Sequence, residues 1–319
     1  MKDKMLALIA GILMVFSYSP FNLWLIAPFA IATLFYLNRN VSAKTAASHG
    51  FIFGLGWFGA GISWVHVSID QFGGLPLIIS ISLMLLLCVY LALFPALAAY
   101  LTALLSKNKQ LNLWLLPPVW LCTEYLRASV LTGFPWLFAG YSHLETPLAG
   151  YMPVASVYGS SMAVALCGSA LIWLKDKPMR IAAGVTPLAV FAIGFGLTQI
   201  QWTQATGITK SVGLIQPNYS LHEKWDPDKF SYVMRGFIKQ TQAVDSADIV
   251  VWPESAIPAS YHRTHAWIEL LSSNAEKSGY TLIAGQPFID ESEEPRKVMN
   301  SQWVFNPGEE IQFYFKNHL

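Results

Sequence analysis

One carboxylate and one ammonium near the C-terminal end of the sequence have settings suited to chemistry. Glu254 stands in Trp252-Pro253-Glu254-Ser255-Ala256-Ile257-Pro258, where an apolar strand pattern, Ile249-Val250-Val251, delivers it into a Pro-bounded turn. A carboxylate at the end of a buried strand is a candidate general base. Its best candidate partner is Lys316. Taken on spacing alone, plainer roles stay open: Glu254 could cap or pair within its turn, and Lys316 could be an edge-strand charge that discourages aggregation.

Other reactive side chains fit chemistry less well. Cys88, Cys122 and Cys167 all fall in apolar segments, where a thiolate is disfavoured. They lack metal-site spacing, and the sequence has no CxxC pair. His262 and His265 are three apart and could bind a metal, but no third ligand is near, so an exposed helix face is the better reading. No Gly-rich phosphate loop and no GxSxG elbow occurs. Neither a metal nor a cofactor is implied.

The elements that must position Glu254 and Lys316 lie in the last third of the chain. Val212 to Pro217 reads as a short buried strand, Ala247 to Glu254 as the next and Thr281 to Pro287 as a third. Ser301 to Phe315 reads as a hairpin turning at Asn306-Pro307-Gly308. Between them, Pro227 to Val244, after an Asp226 cap, and His262 to Ser278, ending at Gly279, read as helices. Alternation of this kind predicts an α/β layer structure with a largely parallel sheet. Sites in such sheets lie beyond the carboxyl ends of strands, which is where Glu254 falls.

The preceding part of the chain is built for lipid. The whole sequence is 54% hydrophobic and only 12% charged, against roughly a quarter charged in soluble domains. Residues 1–207 carry ten of the 20 Lys and Arg, and residues 208–319 carry the other ten, which predicts a membrane domain followed by a water-facing one. A net charge of +1, with no basic cluster interleaved with aromatics, excludes nucleic acid as a partner.

Seven apolar runs approach the roughly 20 residues that cross a bilayer: 5–18, 21–37, 46–66, 76–104, 112–130, 152–174 and 181–201. Lys2 and Lys4 before the first run resemble a signal-peptide start, but a second run follows Pro20 at once, so a helical hairpin fits better. Lys2, Lys4, Arg39, Lys44, Lys107, Lys109, Lys175, Lys177 and Arg180 all fall on one side of the alternation. The positive-inside rule then predicts a cytoplasmic N-terminus and a tail outside, periplasmic in a bacterium. The exception is Arg127, three residues after Glu124, a spacing that allows an ion pair near the end of the fifth span. The loop from Thr132 to Tyr151, with Gly133-Phe134-Pro135-Trp136, has two readings: an interfacial aromatic belt, or a loop folded back to shape a lipid-facing entrance.

Six collinear stretches resemble the bacterial apolipoprotein N-acyltransferases of the nitrilase (carbon-nitrogen hydrolase) superfamily. They are Ser19-Pro20-Phe21-Asn22-Leu23-Trp24, Thr132-Gly133-Phe134-Pro135-Trp136, Gln216-Pro217-Asn218, Lys224-Trp225-Asp226-Pro227, the Val251 to Pro258 stretch, and Tyr314-Phe315-Lys316-Asn317-His318-Leu319. Each is weak alone; their order along the whole chain carries the resemblance.

The resemblance implies a polytopic α-helical membrane domain of about seven transmembrane helices (1–207). After it comes the N-terminal half of a periplasmic α/β nitrilase-like domain (208–319), a partial α-β-β-α sandwich. It implies a Glu-Lys-Cys set with Glu254 as general base and Lys316 as the cation that stabilises an oxyanion. Trp225 and Trp136 would line the lipid entrance and Asn300 would keep the site polar. The implied reaction passes an acyl chain from a phospholipid to the Cys as a thioester, then to the α-amino group of a diacylglyceryl-cysteine at an apolipoprotein N-terminus. The superfamily's Cys lies beyond the Lys, so the sequence, ending at Leu319, reads as a fragment that cannot turn over alone. Competing expectations are a membrane-anchored amidase of the same superfamily, a remnant that binds without chemistry, and a transporter. Transport is disfavoured because the spans hold few charges beyond Glu124 and Arg127.

Overall fold

A segment with no water to satisfy its backbone closes its hydrogen bonds internally, and a helix does this within one run of residues. In a computed structural model that describes residues 1–106, 114–175, 177–244, 246–290 and 297–316, helices occupy the apolar runs. They are α1 (Lys2–Met14), α2 (Ile26–Leu37), α3 (Ala43–Gly61), α4 (Val65–Gln71), α5 (Leu77–Leu105), α6 (Leu116–Ser129), α7 (Met152–Trp173) and α8 (Arg180–Thr198). Contacts divide the chain into two units, Met1–Gln204 and Ala205–Leu319. Lys107, Lys109 and the Asn317-His318-Leu319 end of the last matching stretch lie outside the described residues.

Among the described residues, three helical stretches are long and apolar enough to cross a membrane: Leu77–Leu105, Pro147–Trp173 and Lys177–Thr198. A fourth results if α3 and α4, bent by 52° at the break between them, form one broken span. The helical unit is centred on buried aromatics. Trp57 stacks on Phe58 (4.8 Å) and on Trp120 (5.9 Å), with Phe35 and Phe53 also fully buried. Gly50 and Gly54, one turn apart on α3, let α5 approach so closely that a Cβ on Gly54 would lie 2.6 Å from Ala92 Cα.

The Glu124–Arg127 spacing does not give the ion pair that the sequence allows. Glu124 Oε1 accepts from Trp120 Nε1 (3.0 Å) and from the Ala139 amide (2.8 Å), while Arg127 donates to main-chain carbonyls. Both side chains are buried, and the main chain of residues 134–139 partners the Arg127 guanidinium and Glu124 Oε1 there.

In the second unit, α9 (Leu221–Lys224), α10 (Phe230–Ala243) and α11 (His265–Ser278) alternate with β1 (Val212–Leu214), β2 (Ile249–Val251), β3 (Thr281–Asp290), β4 (Lys297–Phe305) and β5 (Gln312–Phe315). The five strands form one sheet in sequence order. The expectation of a largely parallel sheet needs correction: β1–β2 and β2–β3 are parallel, but β3–β4 and β4–β5 are antiparallel. After α11 no further crossover helix intervenes among the described residues, so β3 to β5 pair as successive hairpins.

The helices cover one face of this sheet. Val233, Met234 and Phe237 of α10 and Ile268, Leu271 and Ala275 of α11 recur at helical spacing and are buried with Val250, Leu282, Ala284, Trp303 and Phe305 of the strands. The opposite face is bare and partly apolar: Val212, Leu214 and Val298 are 53%, 76% and 58% exposed. The second helix begins at His265, not at His262, because residues 261–263 form a separate 3-10 turn in which Tyr261 stacks on Trp303 at 4.8 Å.

Candidate functional site

Glu254 is placed by a turn that is pinned at both ends to β3. The Trp252 amide donates to the Ile283 carbonyl (2.8 Å), and the Ile257 amide donates to the Gly285 carbonyl (3.1 Å). Trp252 itself is buried, stacked on Phe237 at 4.8 Å, and donates its indole N–H to Thr241 Oγ1 at 2.8 Å. Between these anchors Ser255 takes φ 51 and turns the chain sharply, leaving the Glu254 carboxylate on the exposed side.

Gly285 makes the arrangement possible. A Cβ there would stand 2.5 Å from Ser255 N and 3.0 Å from Glu254 Cα, closer than backbone can tolerate. A lone glycine inside a strand pattern signals such an approach, and this was the available sequence signal for a residue that motif reading passed over.

Glu254, Asn300 and Lys316 come together. Asn300 Nδ2 donates to Glu254 Oε1 at 2.9 Å, and the Lys316 amide donates to the Asn300 carbonyl at 2.9 Å. Glu254, Gly285, Asn300, Gln302, Tyr314 and Lys316 line one cleft of about 310 Å³. The β4–β5 register, Ser301 opposite Phe315, carries Lys316 to this place at the end of β5.

Lys224, within the Lys224-Trp225-Asp226-Pro227 stretch, is a further member to which the resemblance gives no role. Its Nζ donates to the Glu254 carbonyl at 3.0 Å. Burial pulls its pKa below the ordinary lysine value, and the negative charge of Glu254 works the other way.

Two expected site residues stand elsewhere. Trp225, 45% exposed, lines a separate cleft of about 470 Å³ with Ala259, His262, Arg263, Pro287 and Val298. That cleft borders the first one, because Pro287 is the cross-strand partner of Asn300. Trp136 belongs to the helical unit, where it is 51% exposed and packs near Phe134 (5.5 Å) and Trp64 (6.3 Å). All three cysteines are also in the helical unit: Cys88 and Cys167 are buried, and Cys122 is exposed on α6.

A carboxylate and an ammonium facing one cleft without neutralising each other can share a reaction, one moving a proton and the other balancing charge on oxygen. Comparisons with known proteins point the same way. Residues 10–170 match the apolipoprotein N-acyltransferase N-terminal domain, and residues 211–319 match the carbon-nitrogen hydrolase family. An apolipoprotein N-acyltransferase of Vibrio cholerae is 36% identical over 92% of this chain and 58% of its own length. Those of Methylococcus capsulatus and Coxiella burnetii are each 34% identical, over 100% and 99% of this chain and 64% and 66% of their own lengths. The chain thus spans about three-fifths of the length of the curated relatives it matches.

Proposed function

Because the chain belongs to the apolipoprotein N-acyltransferase family, we propose that it serves to move a fatty acyl chain from a phospholipid to the α-amino group of a diacylglyceryl-cysteine at an apolipoprotein N-terminus. The observation that carries this reading is the cleft in which Glu254 and Lys316 meet around Asn300.

In this reading Glu254 takes the proton of a cysteine thiol, and the thiolate attacks the ester carbonyl of the phospholipid. Charge on the carbonyl oxygen is balanced by the Lys316 ammonium. The C–O bond breaks, the glycerol oxygen leaves with the proton returned from Glu254, and a thioester remains. The acceptor amine then attacks the thioester, loses its proton to Glu254, and the thiolate departs and is reprotonated. The Ala205–Leu319 unit contributes the base and the cation, and the sequence of that unit holds no cysteine.

The finer architecture of the proposal is a membrane domain of about seven spans with a cytoplasmic N-terminus, then a periplasmic α-β-β-α sandwich. Nine of the ten cations in residues 1–207 falling on one side support the orientation. The bare apolar face of the sheet, with Leu214 76% exposed, supports a second sheet layer against it. Trp136 and Trp225 are assigned to the path of the lipid.

The test is acylation of the full-length protein in vesicles of a phospholipid carrying a labelled acyl chain. Thioester formation that disappears in Glu254→Gln and Lys316→Met, with both variants folded, is the expected result. Full labelling in either variant would remove that residue from the mechanism.

A further inference from the structure

The loop that carries Trp136 has a buried support that the reaction itself does not use. Four consecutive or nearby residues of this loop have positive φ: Leu131 (52), Thr132 (69), Gly133 (82) and Leu137 (58). Three of these are not glycine, and such residues are strained unless their surroundings hold them. At Gly133 a Cβ would strike the Ala128 carbonyl. Such a loop does not keep its shape unaided.

What holds it is Arg127. The residue is 1% exposed. Nη1 donates to the carbonyls of Phe134 (3.2 Å) and Trp136, and Nη2 reaches the Leu137 carbonyl at 3.5 Å. The planar cation is enclosed by the rings of Phe138 (4.6 Å), Phe58 (5.1 Å) and Trp57 (5.6 Å). Arg127's own carbonyl accepts from the Phe134 amide at 2.8 Å. Neighbouring groups complete the frame: Tyr18 Oη donates to the Leu137 carbonyl (3.1 Å), Tyr90 Oη to the Val130 carbonyl (2.9 Å), and Glu124 accepts from the Ala139 amide.

The fork of donors is spent entirely on main chain, on the two residues that flank Pro135 and on the next one, so it fixes backbone direction at Trp136 and leaves the indole outward beside Trp64. A lysine, a point charge with a flexible stem, cannot reproduce two directed donor arms and a flat face at once. A buried guanidinium with backbone acceptors is an expensive way to fill space; its return is the fixed position of one exposed indole.

We propose that Arg127 is a positioning residue for the acyl donor: it fixes the Trp136 indole against which the phospholipid chain lies. The donor part rests on the assignment of Trp136 to the lipid path. The clamp part rests only on the helical unit.

The experiment uses the full-length protein in phosphatidylethanolamine–phosphatidylglycerol vesicles and has two readouts. A nitroxide is attached at Trp136→Cys in a background that carries Cys122→Ser and serine in place of the proposed nucleophilic cysteine, Cys88 and Cys167 being buried, and its rotational mobility is measured with Arg127 intact and in Arg127→Lys. Independently, thioester formation is followed against phospholipid concentration in Arg127→Lys, Trp136→Ala and the double variant. The clamp requires an immobilised label that becomes mobile in Arg127→Lys. The donor role requires a rise of about 5–10-fold in KM with kcat little changed in each single variant, and no further rise in the double variant, the non-additivity of residues acting as one unit.

A label already mobile beside intact Arg127 overturns the clamp, and that measurement stands even when Arg127→Lys does not accumulate in membranes. Unchanged mobility in a folded Arg127→Lys overturns it as well. A Trp136→Ala protein with the original KM removes Trp136 from the lipid path and the donor role with it, while the label continues to report on the clamp alone.

Discussion

Asn300 hands its side-chain amide to Glu254 Oε1 at 2.9 Å while its own carbonyl receives the Lys316 amide at 2.9 Å. One residue of β4 thereby fixes both the orientation of the carboxylate and the start of the segment that carries the ammonium.

Replacing Asn300 by Ala removes a hydrogen bond to a charged acceptor, a contribution of about 1.5–3 kcal/mol. If Glu254 is the base of the proposed reaction and Asn300 orients it, thioester formation should slow by roughly 10- to 100-fold with little change in KM. Single-turnover acylation of the full-length protein measures this.

Gly285→Ala should be the most damaging single-methyl change in the α/β unit. The new Cβ would stand 2.5 Å from Ser255 N, a main-chain atom held in a turn anchored at both ends. Overpacking of this kind costs about 1–3 kcal/mol. Displacement of Glu254 by even 1 Å reduces rate by about 10²-fold. Activity should therefore fall more steeply than the melting temperature, and the two measured together show whether it does.

Lys224→Met keeps the stem and removes the donor to the Glu254 carbonyl. The turn loses one of its outer supports, so acylation should drop by about tenfold, less than for Asn300→Ala because the carboxylate keeps its own partner. A drop to the level of Glu254→Gln would mean that Lys224 acts on the reacting atoms.

Asp248 should contribute to the acid stability of the β1–β2 start. Hydrogen bonds from the Ser211 amide, then Lys210 and the Ser211 hydroxyl, hold its pKa down to about 2, against an ordinary value of 3.8. The stabilisation is complete above the ordinary value and is lost as pH falls through the folded one. Unfolding of the protein between about pH 4 and pH 2 should therefore lose a proton-linked component in Asp248→Asn, whose stability is lower at neutral pH and flatter across that window. An unchanged acid limb would place the linkage in another carboxylate.

The sequence made the helices and strands around the site legible because each carries a strong local signal. Asp226 before Pro227, the alternation around Ile249 and the Asn306-Pro307-Gly308 turn act over a few residues. Glu254 and Lys316 were legible as a pair through collinear motifs, and the two do line one cleft. The β4–β5 hairpin was legible from its Asn306-Pro307-Gly308 turn, but the antiparallel pairing of β3 with β4 was not, because direction there depends on what connects the two strands and not on their own residues.

Lys224 and Gly285 escaped for another reason. Their roles are contacts with Glu254 across 30 and 31 residues of chain (254 − 224; 285 − 254), which no local pattern encodes. Arg127 was misread for the same cause. Helical spacing offered Glu124 as its partner, yet buried carbonyls of the following loop claimed the guanidinium.

The return of β5 beside β4 decides when Lys316 joins the cleft of Glu254. Lys316 reaches Glu254 only after the β3–β4 and β4–β5 pairings have closed, since 62 residues (316 − 254) separate the two in the chain. Until β5 pairs, the carboxylate turn has no Lys316 at its cleft. In the proposed reaction β5 thus works as a safety catch, withholding the cation until the sheet beside Glu254 has been proofread.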